Sequence, residues 1–165
     1  MDSKTYKALE WIVEILSNNN ISYRVGGGTA AYIYGSGRKI NDIDISMSGK
    51  DFDVLVPLVK EYIVAGPKHY KNEKWDCTTL SLNYEEQDID LTDVDTLKMT
   101  NKGATEWLDN KLIYNKYPDV VKKIQDLEVV LMHPRVLIEY KNELRGEHQE
   151  SDIAFLEEYI ETNKL

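Results

Sequence analysis

The chain has 165 residues, of which 42% are hydrophobic and 30% are charged, a composition typical of one globular domain with its own core. Acidic residues outnumber Lys and Arg by 29 to 20, and the net charge of −9 argues against broad, nonspecific binding to nucleic acid. No apolar run is long enough to span a membrane, and the single cysteine excludes an internal disulfide and a multi-cysteine zinc site. The N-terminus has neither a basic leader nor an apolar signal segment, so we expect a cytoplasmic protein.

The first part of the chain is predicted to alternate helices and short strands. Apolar residues at helical spacing predict a helix over residues 4–17, which a short strand over 21–25 follows. Three glycines end that strand, and small residues from 29 to 34 predict a short second helix. Residues 40–46 alternate Ile and Asp, a pattern typical of a strand with one buried face.

The middle of the chain is predicted to hold one helix and a pair of strands. The helix is expected over residues 53–63, with Pro57 in or near its first turn, where a missing N–H costs least. The strands are expected at 78–84 and 87–92, joined by an acidic turn. Residues 93–117 are polar and aromatic-rich, and no element is predicted for them.

The last third is predicted to be helical after one more strand. That strand is expected over residues 128–132, and the first helix after it closes at Gly146. Ser151 is expected to cap the final helix. We therefore predict a single α/β (α+β) domain over residues 1–165, with a helical C-terminal subregion of about 133–165.

Three consecutive glycines between a strand and a helix are the first chemical signal. Glycine allows a ligand to approach the main chain closely, and Gly26, Gly27 and Gly28 follow the strand directly. A helix that begins at Thr29 would direct free N–H groups and a partial positive charge at the same place. Phosphate groups commonly bind at such a helix start.

Alternating aspartates are the second signal. Asp42 and Asp44 lie two residues apart, so both carboxylates project from one face of the predicted strand. The pattern recurs around Asp90, which we expect beside the first pair, with Asp88 and Asp93 as alternatives. Like charges at this spacing repel unless a cation lies between them, and carboxylate oxygens suit Mg²⁺. Three such groups can hold two metal ions for an in-line phosphoryl displacement.

Together these signals resemble a known superfamily. The glycine pair Gly27-Gly28, a thirteen-residue spacer and the strand Asp42-Ile43-Asp44-Ile45 are similar to the signature of the polymerase-β-type nucleotidyltransferases. A pair at Gly26-Gly27 with a longer spacer also fits. Thr29-Ala30 and Arg38 look most similar to the small bacterial lincosamide-type and AbiEii-like groups. The resemblance implies a nucleotidyltransferase-type mixed sheet flanked by helices, with a C-terminal helical pair.

The resemblance also implies an activity and a set of site residues. The activity is Mg²⁺-dependent transfer of a nucleoside monophosphate from an NTP, such as ATP, to an acceptor hydroxyl, with release of pyrophosphate. Two Mg²⁺ ions are implied, with Mn²⁺ as a substitute. The implied catalytic and metal-binding residues are Asp42, Asp44 and Asp90. The implied nucleotide-binding residues are Gly27, Gly28, Thr29, Arg38 and Lys141.

The acceptor and two other functions remain open from the sequence. The acceptor can be a small molecule, an RNA end or a protein, and a toxin–antitoxin-type enzyme acting on tRNA is one alternative. Another is a catalytically inactive module that binds nucleotide or a partner protein, although the presence of all three aspartates favours catalysis. A metal-dependent phosphohydrolase or nuclease can use the same acids, but the glycine turn favours NTP use.

Overall fold

The computed structural model describes residues 1–165 as one mixed β-sheet with helices packed against it. The nine strands are β1 (Tyr23–Val25), β2 (Asp42–Met47), β3 (Ile63–Lys71), β4 (Trp75–Tyr84), β5 (Gln87–Asp93), β6 (Lys98–Thr100), β7 (Trp107–Asp109), β8 (Val120–Ile124) and β9 (Leu127–Leu131). The six α-helices are α1 (Ser3–Asn18), α2 (Gly27–Tyr34), α3 (Phe52–Val59), α4 (Asn110–Tyr114), α5 (Pro134–Asn142) and α6 (Glu147–Asn163). No helix combines the length and the apolar character that crossing a bilayer requires.

The sheet runs in the order β7-β6-β4-β5-β2-β1-β9-β8, and β3 pairs with β4 outside that path. The pairs β2–β5 and β1–β9 are parallel, and the other pairs are antiparallel. The parallel pair β2–β5 lies at the centre of the order and carries the aspartates that the sequence singled out. The topology therefore places two segments from different parts of the chain side by side.

One face of β2 and β5 forms the core of the protein. Ile43, Ile45, Ile89 and Leu91 are each at most 2% exposed and belong to one continuous apolar cluster. Helix α1 packs over β5 and against α3, and it presents its buried apolar residues at helical spacing. Because side chains alternate along a strand, the aspartates must project from the opposite face. Helix α2 packs on β2 and on the C-terminal pair α5 and α6.

The predicted fold class is confirmed, including the mixed sheet and the C-terminal helical pair. Two helix details are wrong. Pro57 lies inside α3 rather than near its first turn, and the α-helix ends two residues later at Val59. Ser151 does not cap the last helix: α6 begins one turn earlier, after Gly146, whose φ of +115° redirects the chain.

Several elements had no prediction. Strand β3 contains Gly66-Pro67, which suggests a loop, but it lies at a sheet edge where its pairing with β4 shifts register around these residues. The segment 93–117 forms the short elements β6, β7 and α4, whose pairing partners are distant in sequence. Local patterns do not specify such elements, because their stability comes from tertiary contacts.

Candidate active site

The parallel register of β2 and β5 brings the acidic residues together. Asp44 pairs with Asp90, and Asp42 pairs with Asp88 two residues nearer the start of each strand. All four side chains lie on the face opposite the apolar core. Asp44 and Asp90 line one cavity, whereas Asp42 is exposed at the beginning of β2. The predicted meeting of the two acidic strands is therefore present in the fold.

The Asp44 carboxyl is electrostatically unfavourable as an anion. Burial is the main cause that raises its pKa, and the neighbouring charges of Asp42 and Asp90 raise it further, to about 7. Lys141 and the N–H of Gly28 act in the opposite direction without cancelling these effects. The cations near Asp42, Asp44 and Asp90 are thus too few to balance these carboxylates near neutral pH, and a bound cation would relieve the repulsion between them.

The glycine turn lies directly against Asp44. Gly27 has a φ of +54°, and a Cβ atom added there would lie 1.8 Å from the Asp44 Oδ2 atom. The N–H of Gly26 donates to the Asp44 carbonyl at 2.9 Å, which ties the turn to β2. Only glycine fits at position 27, because any side chain would displace the carboxylate. The start of α2, with its free N–H groups, is therefore held beside the acidic strand.

Helix α2 begins two residues earlier than predicted, so Gly27, Gly28 and Thr29 form its first turn. Thr29 is fully buried, and its hydroxyl donates to the Asp42 carbonyl at 2.9 Å. That hydroxyl thus joins α2 to β2, which gives Thr29 a structural role. A Cβ on Gly28 would lie 3.4 Å from the guanidinium carbon of Arg38, which places this cation at the turn.

A cluster with two positively charged side chains lies next to the turn, and residues of the C-terminal helices α5 and α6 contribute to it. The Lys141 Nζ atom on α5 donates to Asp152 Oδ2 on α6 at 2.9 Å and to Gln149 Oε1 at 3.1 Å. Arg38 donates to the same Asp152 oxygen at 2.6 Å. Lys141 is 2% exposed and Asp152 is 1% exposed. The structure therefore brings together Arg38 and Lys141, which are far apart in sequence, through one buried carboxylate. We call Arg38, Lys141 and Asp152 the cation cluster.

Asp152 is a residue of this site that the sequence analysis did not select. It occupies the buried side of α6 together with Leu156 and Ile160. An acidic residue at an otherwise apolar helical spacing was the available signal, since carboxylates are rarely buried without a partner. The partners themselves could not be identified from local sequence, because Arg38 lies 114 residues away.

The two alternatives to Asp90 have other contacts. Asp93 is buried and accepts hydrogen bonds from Gly49 N at 2.7 Å and Thr96 Oγ1 at 2.6 Å, so it organises a turn. Asp88 is exposed and accepts a hydrogen bond from Asn83 at 2.7 Å. Asp90 Oδ1 accepts from Ser81 at 2.5 Å, and Asp90 faces the cavity.

The cavity beside Asp44 and Asp90 has a volume of about 380 Å³ and lies between the sheet and α4 and α5. Its sheet side carries hydroxyl groups and its walls carry aromatic rings. The hydroxyl residues are Ser46, Thr79, Ser81 and Thr92, and the aromatic residues are Tyr70, Trp75, Tyr114 and Tyr140. None of these eight was selected from the sequence, because they are scattered over six elements.

The donor set fits Mg²⁺ only in part by itself. No group of three or more His, Cys, Asp or Glu side chains is arranged to hold a metal ion. Two carboxylates on paired strands, one of which has a pKa raised by burial and by like charges, nevertheless match the way Mg²⁺ binds, through one or two carboxylates completed by substrate phosphates. The residues present therefore fit a metal that enters together with a phosphate ligand.

Solved structures with the same architecture exist at low sequence identity. A protein from Thermotoga maritima, provisionally described as a nucleotidyltransferase, superposes with a TM-score of 0.69 at 18% identity, covering 99% of this chain and 93% of that one. The lincosamide antibiotic adenylyltransferase LnuA, solved with lincomycin bound, gives 0.60 at 14% identity over 93% and 96% of the two chains.

A third similar structure is ANT(2″)-Ia in complex with adenylyl-2″-tobramycin, with a TM-score of 0.62 at 13% identity over 98% of this chain and 92% of that one. No protein-family model and no curated protein matches the sequence. The similarity extends over nearly the whole chain and includes the sheet that carries the aspartates. The chain therefore shares the fold of these nucleotidyltransferase structures, as the resemblance of its glycine and aspartate motifs implied.

Proposed function

We propose that this protein transfers a nucleoside monophosphate from an NTP to an acceptor hydroxyl and releases pyrophosphate, with Mg²⁺ or Mn²⁺ at the aspartates. The observation that carries the proposal is the position of the α2 N-terminus. It lies against Asp44 on one side and against Arg38 on the other, so carboxylates and cations meet at one turn of backbone amides. An NTP with its metal ions is a ligand that needs both kinds of group.

The phosphate contacts follow from this arrangement. The N–H groups of Gly27 and Gly28 in the first turn of α2 would donate to the β- and γ-phosphates, aided by the partial positive charge of the helix start. Arg38 and Lys141 would add two cations beside them. Because Asp152 already holds both cations in position, they lose little conformational freedom when the nucleotide binds.

The metal contacts would come from Asp42, Asp44 and Asp90, with the nucleotide phosphates completing the coordination. When bound, divalent ions at these carboxylates would stabilise the negative charge that develops on the transferred phosphoryl group. Asp42 is exposed at the mouth of the site and Asp44 lies deeper, against Gly27. Asp42 would therefore be the carboxylate most accessible to a metal ion that enters with the nucleotide.

The acceptor reacts from the cavity side. Its hydroxyl oxygen forms a bond to the α-phosphorus, the bond from that phosphorus to the bridging oxygen of the β-phosphate breaks, and pyrophosphate leaves. The proton of the acceptor hydroxyl passes to Asp90, whose Oδ1 atom is oriented by the Ser81 hydroxyl. A carboxylate held in this way can serve as the general base.

The test is transfer of label from α-³²P-labelled NTPs with Mg²⁺ and a metabolite and RNA extract, together with measurement of pyrophosphate. We expect Asp44-dependent labelling and pyrophosphate release, and losses of at least about 100-fold in the Asp44→Asn and Asp90→Asn variants. Asp88→Asn is the matched control, since Asp88 lies on the same face of the same strand but outside the cavity.

Two results would contradict the proposal. Orthophosphate or cleaved nucleic acid as the product, instead of pyrophosphate, would indicate a phosphohydrolase or nuclease. Calorimetric binding of Mg-ATP or Mg-GTP without turnover on any acceptor would indicate a nucleotide-binding module that has the fold without catalysis.

A further inference from the structure

A second cavity, away from the paired aspartates, carries an inference that goes beyond the transfer reaction. It has a volume of about 280 Å³ and lies between the start of β4, the loop after β6 and the connection from α5 to α6. We infer that this second cavity binds the phosphate group of a small molecule, and that it is distinct from the nucleotide site at the α2 N-terminus. Its charge, the way its cations are held and its position support this.

The positive charges of the second cavity lack direct carboxylate partners. Lys74, Lys102 and Arg145 line it, and Glu73 is the one acidic residue of the lining. The ion pairs of the protein involve other cations. The Glu143 carboxylate lies nearby, but it accepts a hydrogen bond from the main-chain N–H of Lys102 at 2.8 Å. Three unpaired cations thus converge on one concave site in a chain whose net charge is −9, which favours an anionic ligand there.

Main-chain carbonyls hold two of these cations in place. The Lys74 Nζ atom donates to the carbonyls of Thr100 and Glu143, the latter at 2.6 Å, so one of its three N–H groups is left for a ligand. The Arg145 guanidinium donates to the Lys102 carbonyl at 3.2 Å, and its other N–H groups have no partner. Burial lowers the pKa of Lys74 and Arg145 lowers it further, whereas Glu143 acts in the opposite direction. A bound anion would stabilise these charges.

This set of donors suits a phosphate better than a carboxylate. A guanidinium binds two phosphate oxygens through its planar fork, and the two ammonium groups can contact the remaining oxygen and the second negative charge. A carboxylate has one charge and two oxygens, so it would leave part of the donor set unused. The ring of Trp75 forms part of the wall and offers an apolar surface to an organic group attached to the phosphate. The expected ligand is therefore a phosphate monoester.

The second cavity lies apart from the proposed metal site but is connected to it. Ser81, which contacts Asp90, lies six residues beyond Trp75 on β4, or about 20 Å along the strand. Metal ions at the aspartates are therefore further away than the Debye length of about 8 Å. Two residues provide the connection. Trp75 lines both cavities, and Gln149 lines the second cavity and accepts a hydrogen bond from Lys141 at 3.1 Å.

Calorimetric titration of the full chain with phenyl phosphate, without NTP or divalent ions, tests the site. We expect saturable binding of one equivalent, and at least fivefold weaker binding of benzoate, the carboxylate counterpart. Arg145→Gln and Lys102→Gln should each weaken the binding of phenyl phosphate at least fivefold, and both side chains are exposed, so the variants should fold. Lys123→Gln is the matched control, because it removes the same charge on β8 at the opposite edge of the sheet. It should change the affinity less than twofold.

Two further variants locate the bound phosphate. Glu73→Gln removes the one acidic side chain of the lining and should tighten the binding of phenyl phosphate at least twofold, a gain that misfolding cannot produce. Arg38→Ala removes a cation of the nucleotide site and should change this affinity less than twofold. If Arg38→Ala weakened binding while Arg145→Gln and Lys102→Gln did not, the phosphate would occupy the nucleotide site and the inference would be overturned. No saturable binding to a chain shown to be folded by circular dichroism would also overturn it.

The phosphate group can belong to the acceptor or to a free metabolite, and the transfer assay distinguishes these sources. An acceptor that reaches both Asp90 and the second cavity would be about 20 Å long, and phenyl phosphate should then compete with it. A free metabolite that acts through Gln149 and Lys141 should instead change the KM for Mg-NTP without competing with the acceptor. If saturating phenyl phosphate changed neither constant, the cavity would bind an adventitious anion only, and the inference would be overturned. If no transfer occurs at all, the proposed function fails, but the titrations still test the second cavity.

Discussion

The two charged halves of the site differ in how their charge is balanced. On the sheet side, Asp44 faces Asp42 and Asp90 and has a raised pKa, because burial and like charges outweigh the available cations. On the helix side, Arg38 and Lys141 share the carboxylate of Asp152 at 2.6 and 2.9 Å. The acidic half therefore depends on a ligand for its neutralisation, whereas the two cations of the cation cluster already share one carboxylate of the protein, which leaves one positive charge uncompensated. The following substitutions should affect the two halves in opposite directions.

The largest expected effect is the loss of Asp152. Asp152→Ala leaves Lys141 buried without a carboxylate, and removing one partner of a buried ion pair costs about 3–5 kcal/mol. We expect the free energy of unfolding in urea to fall by about that amount. Asp152→Asn, which keeps a hydrogen-bond acceptor, should cost less.

A double variant distinguishes the missing charge from lost packing. Lys141→Met combined with Asp152→Leu removes both charges and retains apolar volume, so it should recover most of the stability that Asp152→Ala loses. If Asp152→Ala lowered the unfolding free energy by less than about 1 kcal/mol, the cation cluster would not be held by this carboxylate.

These two halves also differ in how far the sequence predicted them. Asp42, Asp44 and Asp90 were found because each lies in a short alternation of acidic and apolar residues, which fixes the face of the strand locally. The parallel pairing that joins Asp44 to Asp90 then follows from the fold. Asp152 was missed because its partners come from an earlier loop and from another helix, and no local pattern specifies that contact.

A similar distinction applies to the fold. The helix over 4–17 and the hairpin after residue 78 were predicted because their apolar periodicity is strong. Strand β3 was missed because Gly66-Pro67 interrupts its pattern, and the edge position that tolerates this pair is a tertiary property. The cavity walls were also beyond prediction, since Tyr70, Trp75 and Tyr140 converge from separate elements.

The acidic half should respond to substitution with a gain in stability. Asp44→Asn removes a charge that burial and its neighbours disfavour, so we expect the free energy of unfolding to rise by about 1–3 kcal/mol at pH 8 without divalent ions. Asp88→Asn, on the same face of the sheet but exposed, should change stability by less than about 0.5 kcal/mol.

The gain should depend on pH in a defined direction. In the folded protein Asp44 retains its proton up to a pKa of about 7, whereas in the unfolded chain it ionises near the ordinary value of 3.8. The folded state binds more protons between these values, so the stability that Asp44 contributes falls as the pH rises from about 4 to about 7. Urea titrations at pH 5 and pH 8 should therefore show a larger benefit of Asp44→Asn at pH 8; an equal benefit at both would contradict the electrostatic explanation.

Magnesium should provide a smaller stabilisation that depends on the same carboxyl. At ten times its Kd, a ligand that binds only the folded state stabilises it by about 1.4 kcal/mol. We expect Mg²⁺ to raise the melting temperature of the native chain at pH 8 and to have little effect on Asp44→Asn. NaCl at matched ionic strength is the control, and an equal shift in both proteins would show that the ion acts elsewhere.

The smallest expected effect on stability is the loss of Arg38. Its side chain is 29% exposed, and Lys141 continues to pair with Asp152 when it is removed, so Arg38→Ala should cost about 0.5–1 kcal/mol. The same substitution should weaken Mg-NTP binding at least tenfold, because Arg38 lies against Gly28 at the turn that would receive the phosphates. Arg38→Lys keeps the charge but loses the planar fork, so its affinity should fall between those of Arg38→Ala and the native chain. If Arg38→Ala caused a large loss of stability and left the nucleotide affinity unchanged, Arg38 would be a structural partner of Asp152 alone. Lys141 would then be the one residue of the cation cluster that binds the ligand.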